Sequence, residues 1–428
     1  MMRKEDEKYR NYLQILQEEL IPAMGCTEPI AIAYAAAKAK ELLGEIPTSV
    51  VIEASGNIVK NVKSVVVPNT GGLKGIEAAA AAGIVAGRPE LSLEVISGIT
   101  QAEQEKIKKY LENTAIKVMP LNSDCVLDIQ VCFRNGDEYA KVRISETHTN
   151  ITHMEKNGEI LLEKRIPGAV FADTNSDRAA MNVWDIWDFA ETVDMDDVRN
   201  IISRQIDYNM EISRTGLAGN YGANVGRVLA TTYGHNDVVS RAKAAAAAGS
   251  DARMSGCELP VIINSGSGNQ GITVSVPVVV YAEELGVGEE KMYRALVLSN
   301  LLAIHQKTRI GRLSAYCGAV SAGAAAGAAI AYLHGGSYNE IIHTLVNALA
   351  IVSGIICDGA KPSCAAKIAA AVDAGILGYH MYQEGQQFYG GDGIISKGVE
   401  ATLENIGRLG KDGMRGTDEE IIRIMTGT

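Results

Sequence analysis

The sequence predicts an α+β protein: an N-terminal α/β domain with a mixed sheet, followed by an all-helical, Ala/Gly-rich domain. Three observations lead there. Short β-branched runs bounded by turn residues fill the N-terminal part, helical periodicity sets in near Ala179 and persists, and 428 residues exceed what one core usually organises. The boundary is expected near Pro167–Ala179, dividing the chain into residues 1–170 and 171–428; no repeat or low-complexity linker marks it.

Tyr9, Leu13, Leu16 and Leu20 recur at helical spacing within Glu5–Leu20, and Pro22 should end that helix. Next comes Met24-Gly25-Cys26-Thr27-Glu28-Pro29. Thr27 is the expected N-cap of a helix through Ile30–Leu43, with Pro29 tolerated in its first turn, so Cys26 falls just before a helix start. A thiol there feels the positive helix end and ionises more easily. A buried cysteine filling space beside the cap fits the position equally well.

Val50–Glu53 and Ser64–Val67 read as strands separated by Gly56-Asn57. Pro68–Gly75 is a glycine-rich turn opening the Ala-rich helix Ile76–Val85, which stops near Gly87-Arg88-Pro89. Backbone N–H groups around Asn69, Thr70 and Gly71 suit a substrate carboxylate, although as a bare pattern such a turn is more often only a loop. Glu94–Ile96, Ala115–Met119, Val126–Phe133 and Ala140–Ile144 read as strands, with Gln101–Asn113 helical between the first two. Asn135-Gly136 and Asn157-Gly158 supply hairpin turns. His148 and His153 read as exposed polar residues at a turn in preference to ligands.

Past Ala179, Val198–Thr215, Ala242–Ala248, Met292–His305, Ala319–Leu333, Tyr338–Ile356 and Ala365–Leu377 read as helices whose small-residue faces allow close contact, with a break at Ala218–Gly222. Asn264–Gly271 (NSGSGNQG) is the densest polar stretch in an apolar segment. It matches G-x-G-x-x-G, but Thr273–Val280 is β-branched and contains Pro277, which argues against the helix a dinucleotide loop needs. Ser265, Ser267, Asn269 and Gln270 are better suited to gripping a small polar substrate. Lys307, Arg309 and Arg312 precede Cys317, either as a solvated helix end or as an electropositive approach for an anion.

The net charge of −11 argues against a nucleic-acid surface and against anionic lipid. The charged N-terminus lacks the apolar core of a secretory signal, and the uncharged runs Leu259–Ala282 and Leu313–Gly336 read as buried interior, not membrane spans. Seven cysteines without compact, even spacing suggest no disulfide framework, so a reducing cytoplasmic compartment is expected. Cys317, Cys357 and Cys364 stand out, the last two seven apart with Gly359 and Pro362 between them. Three thiolates can hold a four-iron cluster and leave one iron open as a Lewis acid. Packing residues and, less readily, a zinc site are the other readings of this trio. Cys125 and Cys132 read as packing residues, and Cys257 stands close to the polar turn.

Together, Met24–Pro29 (MGCTEP), Ser265–Gly271 (SGSGNQG), Gly311–Gly318 (GRLSAYCG) and Cys357–Cys364 (CDGAKPSC) resemble the L-cysteine desulfidase family, of UPF0597 type and related to the iron–sulfur L-serine dehydratases. The resemblance covers nearly the whole chain. It implies a 4Fe–4S cluster on Cys317, Cys357 and Cys364, and Cys26 as the proton acceptor. Thr27 and Glu28, the Asn69–Gly71 turn, Ser265, Ser267, Asn269 and Gln270 are the candidates for substrate contacts, with Lys307 and Arg309 as weaker ones. The implied reaction eliminates hydrogen sulfide from L-cysteine and yields pyruvate and ammonia. The chain lacks the serine-rich SSSHT segment of the serine dehydratases, which favours L-cysteine over L-serine. An L-serine dehydratase using the same cluster and a non-catalytic redox sensor are the alternatives; no lysine and phosphate-cup combination suggests pyridoxal phosphate. The expected partner is a small-molecule amino acid, with no nucleic acid and no membrane. A homodimer is compatible with the sequence, which does not report oligomeric state.

Overall fold

The structure, a computed structural model, describes residues 2–123, 125–164, 176–234, 236–311 and 313–427. Tyr9, Tyr12, Ile15 and Leu16 make the buried stripe of α1 (Glu7–Glu19), and β1 (Pro22–Met24) leads into α2 (Thr27–Leu43). β2 (Ser49–Ala54) is followed by α3 (Gly56–Val62), α4 (Gly75–Ala86), α5 (Gln101–Asn113) and β3 (Ile116–Pro120). β4 (Asp128–Asn135), β5 (Glu138–Ser145), β6 (Ile151–Lys156) and β7 (Glu159–Glu163) then run as hairpins. The six strands form one mixed sheet in the order β3-β2-β4-β5-β6-β7, in which only β2 and β3 are parallel. Ile129, Val131 and Phe133 alternate with polar neighbours along β4, as do Ala140, Val142 and Ile144 along β5, and α2 packs on these strands. The opposite face is polar: Gln130, Lys141, Arg143 and His153 line a shallow cavity there.

Two expected strands are absent. Gly56-Asn57 opens α3 in place of a turn, because Ile58 and Val62 bury one helical face, and of Ser64–Val67 only Val66 makes an isolated bridge, to Lys74. Glu94–Ile96 follows directly on a 3₁₀ turn, Pro89–Glu94, and three residues there find no ladder to join.

The helical part comprises α6 (Val183–Thr192), α7 (Met195–Ala218), α8 (Val225–Tyr233) and α9 (Val238–Met254). It continues through β8 (Pro260–Ile262), α10 (Gly268–Glu284), α11 (Glu289–Ile310), α12 (Gly318–Leu333), α13 (Tyr338–Val352), α14 (Cys364–Gln383), α15 (Val399–Arg408) and α16 (Arg415–Thr426). α12 is central: every residue from Ala319 to Leu333 is buried, and α10, α11, α13 and α14 pack round it. Small residues permit this. A Cβ on Gly327 would lie 2.4 Å from the Gly375 carbonyl oxygen, so α12 and α14 touch backbone to backbone. α10 overturns the expectation that β-branching and Pro277 exclude a helix after the polar turn. Its residues from Gln270 to Ala282 are all buried, and tertiary burial outweighs intrinsic propensity. α13 stops at Val352, short of the expected Ile356, because the following segment pairs with Tyr316.

Sequence order and spatial order differ at the start of the chain. α1 docks on the helical part, with the Tyr9 and Tyr12 rings 5.2 and 5.4 Å from that of Phe189, and β1 pairs antiparallel with β8. Residues 167–175 of the expected boundary lie outside the described residues. No helix of the described residues is long and apolar enough to cross a membrane.

The backbone contact between α12 and α14 leaves no space for a methyl group. Gly327→Ala should destabilise the protein by ~1–3 kcal/mol through overpacking, read as a lower urea midpoint with an unchanged slope.

Candidate active site

Four helices begin at one cavity of about 100 Å³. Cys26 is the N-cap of α2, Ser267 of α10 and Cys317 of α12, while Cys364 is the first residue of α14. All four line the cavity, with Cys357 from the loop before α14. The first N–H groups of a helix lack internal partners and carry partial positive charge, so such a wall favours anions and thiolates.

Cys26, not Thr27, caps α2. Gly25 before it has φ +64°, and a Cβ there would meet Pro68 Cγ at 2.1 Å, so only glycine lets the turn close against the Pro68 loop. The Thr27 hydroxyl donates to the Gly266 carbonyl at 2.9 Å, joining the start of α2 to the polar turn before α10. The Cys26 thiol donates to Glu28 Oε2 at 2.9 Å, and Asn61 Nδ2 donates to Glu28 Oε1 at 3.1 Å. Burial first, then the Glu28 carboxylate, push the Cys26 thiol well above the ordinary thiol range against the pull of Arg253. The easier ionisation expected from the helix end is therefore not what the site provides, because desolvation outweighs the dipole. Burial also acts on Glu28, yet His148, the hydrogen bond from Cys26 and Arg253 hold its carboxyl below the ordinary value.

Two hydrogen bonds tie the strand-like segments holding Cys317 and Cys357: Cys317 N–H to the Ile355 carbonyl at 3.2 Å, and Cys357 N–H to the Ala315 carbonyl at 2.6 Å. Gly359, at φ +94°, would place a Cβ 2.4 Å from the Lys60 carbonyl oxygen, so the loop from Cys357 to Cys364 is pressed against α3. Burial, then its neighbours Cys357 and Cys364, push the Cys317 thiol up to about 12; burial likewise raises Cys364. Such a mutual effect requires three sulfurs in one neighbourhood. Among the described residues, no three His, Cys, Asp or Glu side chains are close enough to hold a single metal ion. A four-iron cluster makes a different demand, since each thiolate binds a separate iron and the sulfurs stand apart. The donor set fits such a cluster: three thiols on one wall, two of them at helix starts, and Lys367 close enough to act on Cys317 and Cys364.

Of the residues expected to touch substrate, Thr27, Glu28, Ser267, Asn269, Gln270 and Lys307 line the cavity. Others do not reach it. Asn69 bonds to the Ile96 carbonyl at 2.9 Å and Thr70 to the Val67 carbonyl at 2.7 Å, so the turn carrying them and Gly71 closes on itself and buttresses the loop around Gly25. Ser265 donates to Asn264 at 2.9 Å and shapes the polar turn from within. Arg309, two residues from Lys307, leaves on another helix face and binds Glu400 at 2.7 Å. Arg312 lies outside the described residues. Lys307 itself is buried, not a solvated helix end. His148 is buried too, contrary to its reading as an exposed turn residue, and its charge bears on Glu28. His153 lies on β6 and bonds to Glu155 at 3.2 Å. Cys257 is buried in the core and is not part of the cavity wall. All seven cysteines are free thiols.

Three polar lining residues gave no motif: Lys60, Asn61 and Arg253. Lys60 donates to Asp418 of α16 and to the Cys357 carbonyl, the latter at 3.4 Å. The one signal for Arg253 was its position, with Asp251, at the end of the small-residue run Ala244–Ser250. Charge inside a buried Ala/Gly helix asks for a polar neighbour.

A family model described as serine dehydratase alpha chain matches residues 90–423. A UPF0597 protein of Desulfitobacterium hafniense is 63% identical over 426 residues, covering 99% of this chain and 98% of that one. UPF0597 proteins of Lachnoclostridium phytofermentans and Treponema denticola are 51% and 48% identical, covering 97% and 99% of this chain and 99% of each relative.

Because the Glu28 carboxylate raises the Cys26 pKa, its removal must lower it. In metal-free protein, Glu28→Gln should move the pH profile of Cys26 alkylation to lower pH, as read by mass spectrometry, with Cys132 as an internal reference.

Proposed function

The chain belongs to the serine dehydratase alpha-chain family, and from that premise we propose that it is a carbon–sulfur lyase, an L-cysteine desulfidase, with a 4Fe–4S cluster held by Cys317, Cys357 and Cys364. One observation carries the reading: those three thiols, from two separate stretches of the helical part, share a cavity with Cys26 from the first thirty residues. When bound, the cluster would supply a Lewis-acidic iron with a vacant position.

The reaction removes the Cα proton of L-cysteine and breaks its Cβ–S bond. Hydrogen sulfide leaves, and the aminoacrylate that remains tautomerises to an imine and hydrolyses to pyruvate and ammonia. Cys26 is the base for the Cα proton. It has to give up its own proton first, and Glu28, already accepting that S–H bond at 2.9 Å, is the group placed to receive it. Asn61 fixes the other Glu28 oxygen, so the carboxylate stays turned toward the thiol. Lys307 adds positive charge to the wall, and the helix starts add more, which suits an anionic substrate group among buried side chains.

The family description favours a second reading, L-serine dehydration to the same products. The cavity chemistry is common to both, since either substrate loses Cα–H and a group from Cβ.

Anaerobically reconstituted protein should be brown and release sulfide from L-cysteine, with a larger kcat/KM than for L-serine. The reverse ratio would make it a serine dehydratase, and a colourless, metal-free preparation with undiminished activity would remove the cluster from the scheme. A brown protein that turns over neither amino acid would be a redox sensor. Cys26→Ala should keep the colour and lose turnover by about 10²–10⁴-fold, whereas Cys317→Ser should lose both. Loss of colour in Cys26→Ala would make that residue a ligand instead.

A further inference from the structure

Three buried polar atoms of the cavity residues have no hydrogen-bond partner: Arg253 Nε, Gln270 Oε1 and the Tyr316 hydroxyl. Arg253 is 3% exposed and Gln270 5%. An unmatched buried polar group costs about 1–3 kcal/mol; Arg253 and Gln270 meet at the start of α10, where Arg253 bonds to Asn269, and this pair calls for a ligand that satisfies both. The two are complementary in kind, one a donor on a permanent cation and the other an acceptor on a neutral amide.

Their surroundings hold them in place. Arg253 Nη1 donates to Asn269 Oδ1 at 3.2 Å, which turns the guanidinium along the start of α10. A Cβ on Gly268 would lie 2.3 Å from Arg253 Nε, and one on Gly318 would lie 2.5 Å from Gln270 Cδ. Glycine at these two positions makes room for the two side chains. Lys60, also on the wall, is engaged by Asp418 and the Cys357 carbonyl. Arg253 acts on Cys26 and Glu28 through its charge without forming an ion pair with the carboxylate, which binds Cys26 and Asn61.

We propose that Arg253 receives the α-carboxylate of the substrate and Gln270 Oε1 its α-ammonium, so that together they read the backbone of an α-amino acid. This rests on the amino-acid lyase reading and adds the residues that recognise the part of the substrate common to cysteine and serine. With both backbone groups held on the α10 side, Cα is presented to Cys26 and the side chain to the wall bearing the other thiols. A site built to bond a charged group rejects analogues that lack it far more strongly than a site built on shape.

L-alanine has both backbone groups and no leaving group, so it reports recognition without turnover. Calorimetry on the reconstituted full-length protein should show L-alanine binding, with ethylamine and propionate much weaker. Arg253→Gln should weaken L-alanine about tenfold or more, worth ~1.4 kcal/mol, and leave ethylamine unchanged. Gln270→Leu should weaken L-alanine and leave propionate unchanged. Arg253→Lys, which keeps the charge, should recover part of the affinity, and a purely structural role would give no such ordering. For L-cysteine, Arg253→Gln should raise KM at unchanged iron content. Equal weakening of L-alanine and ethylamine, an unchanged L-alanine affinity in Arg253→Gln, or wild-type protein that does not bind L-alanine would overturn the assignment. Wild-type protein that binds L-alanine selectively but eliminates nothing from cysteine or serine would sink the lyase reading and leave this one standing.

Discussion

The first N–H groups of α2, α10, α12 and α14 have no helical carbonyl to bond, and the fold aims all four sets at one cavity. Bringing four positive helix ends together is unfavourable unless something negative stands among them. Glu28 supplies part of that charge, held ionised by its neighbours. An anionic ligand is the natural remainder. The rest of the architecture serves this convergence: β1 pairs with β8 to bring the chain's start onto the helical part, and small residues let α12 and α14 approach until their backbones touch.

That closeness also sets the protonation of the site. A helix end lowers a thiol pKa, and burial raises it. At Cys26 and Cys317 burial prevails, so both rest as protonated thiols that need a partner to take the proton. For Cys26 the partner is two residues away, in the same helical turn. In the proposed cluster site each thiol would likewise have to shed its proton to bind iron, which would make loading pH-dependent.

Much of this was legible in the sequence. The strand readings of Val126–Phe133 and Ala140–Ile144 located two central strands, and the Ala/Gly runs announced close helix packing that Gly327 and Gly375 bear out. Cys26, Ser267, Asn269, Gln270, Lys307 and the three later cysteines were singled out and do meet at one place. What could not be read has a common cause, because it depends on which face of an element a neighbour covers. Lys307 and Arg309 are two residues apart and look alike in sequence, yet helical geometry sends one inward and the other to Glu400. The Asn69–Gly71 turn had the composition of an anion site, but its polar groups are spent on its own closure. Pro277 argued against a helix that burial enforces. Arg253 and Lys60 carried no motif because what they do depends on neighbours far away in the chain.

The loop from Cys357 to Cys364 lies against the Lys60 backbone with no room for a side chain at Gly359, and Lys60 is in turn tied to Asp418 in the last helix. The wall therefore joins residues from Cys26 to Ile368, and its Lys60 is braced by α16. During synthesis, Cys26 leaves the ribosome long before its companions, and the surface it will face does not exist until α14 has emerged. A group that needs all three later thiols at once can be seated only after the loop to Cys364 has emerged, and until then the early thiol stands without its final neighbours.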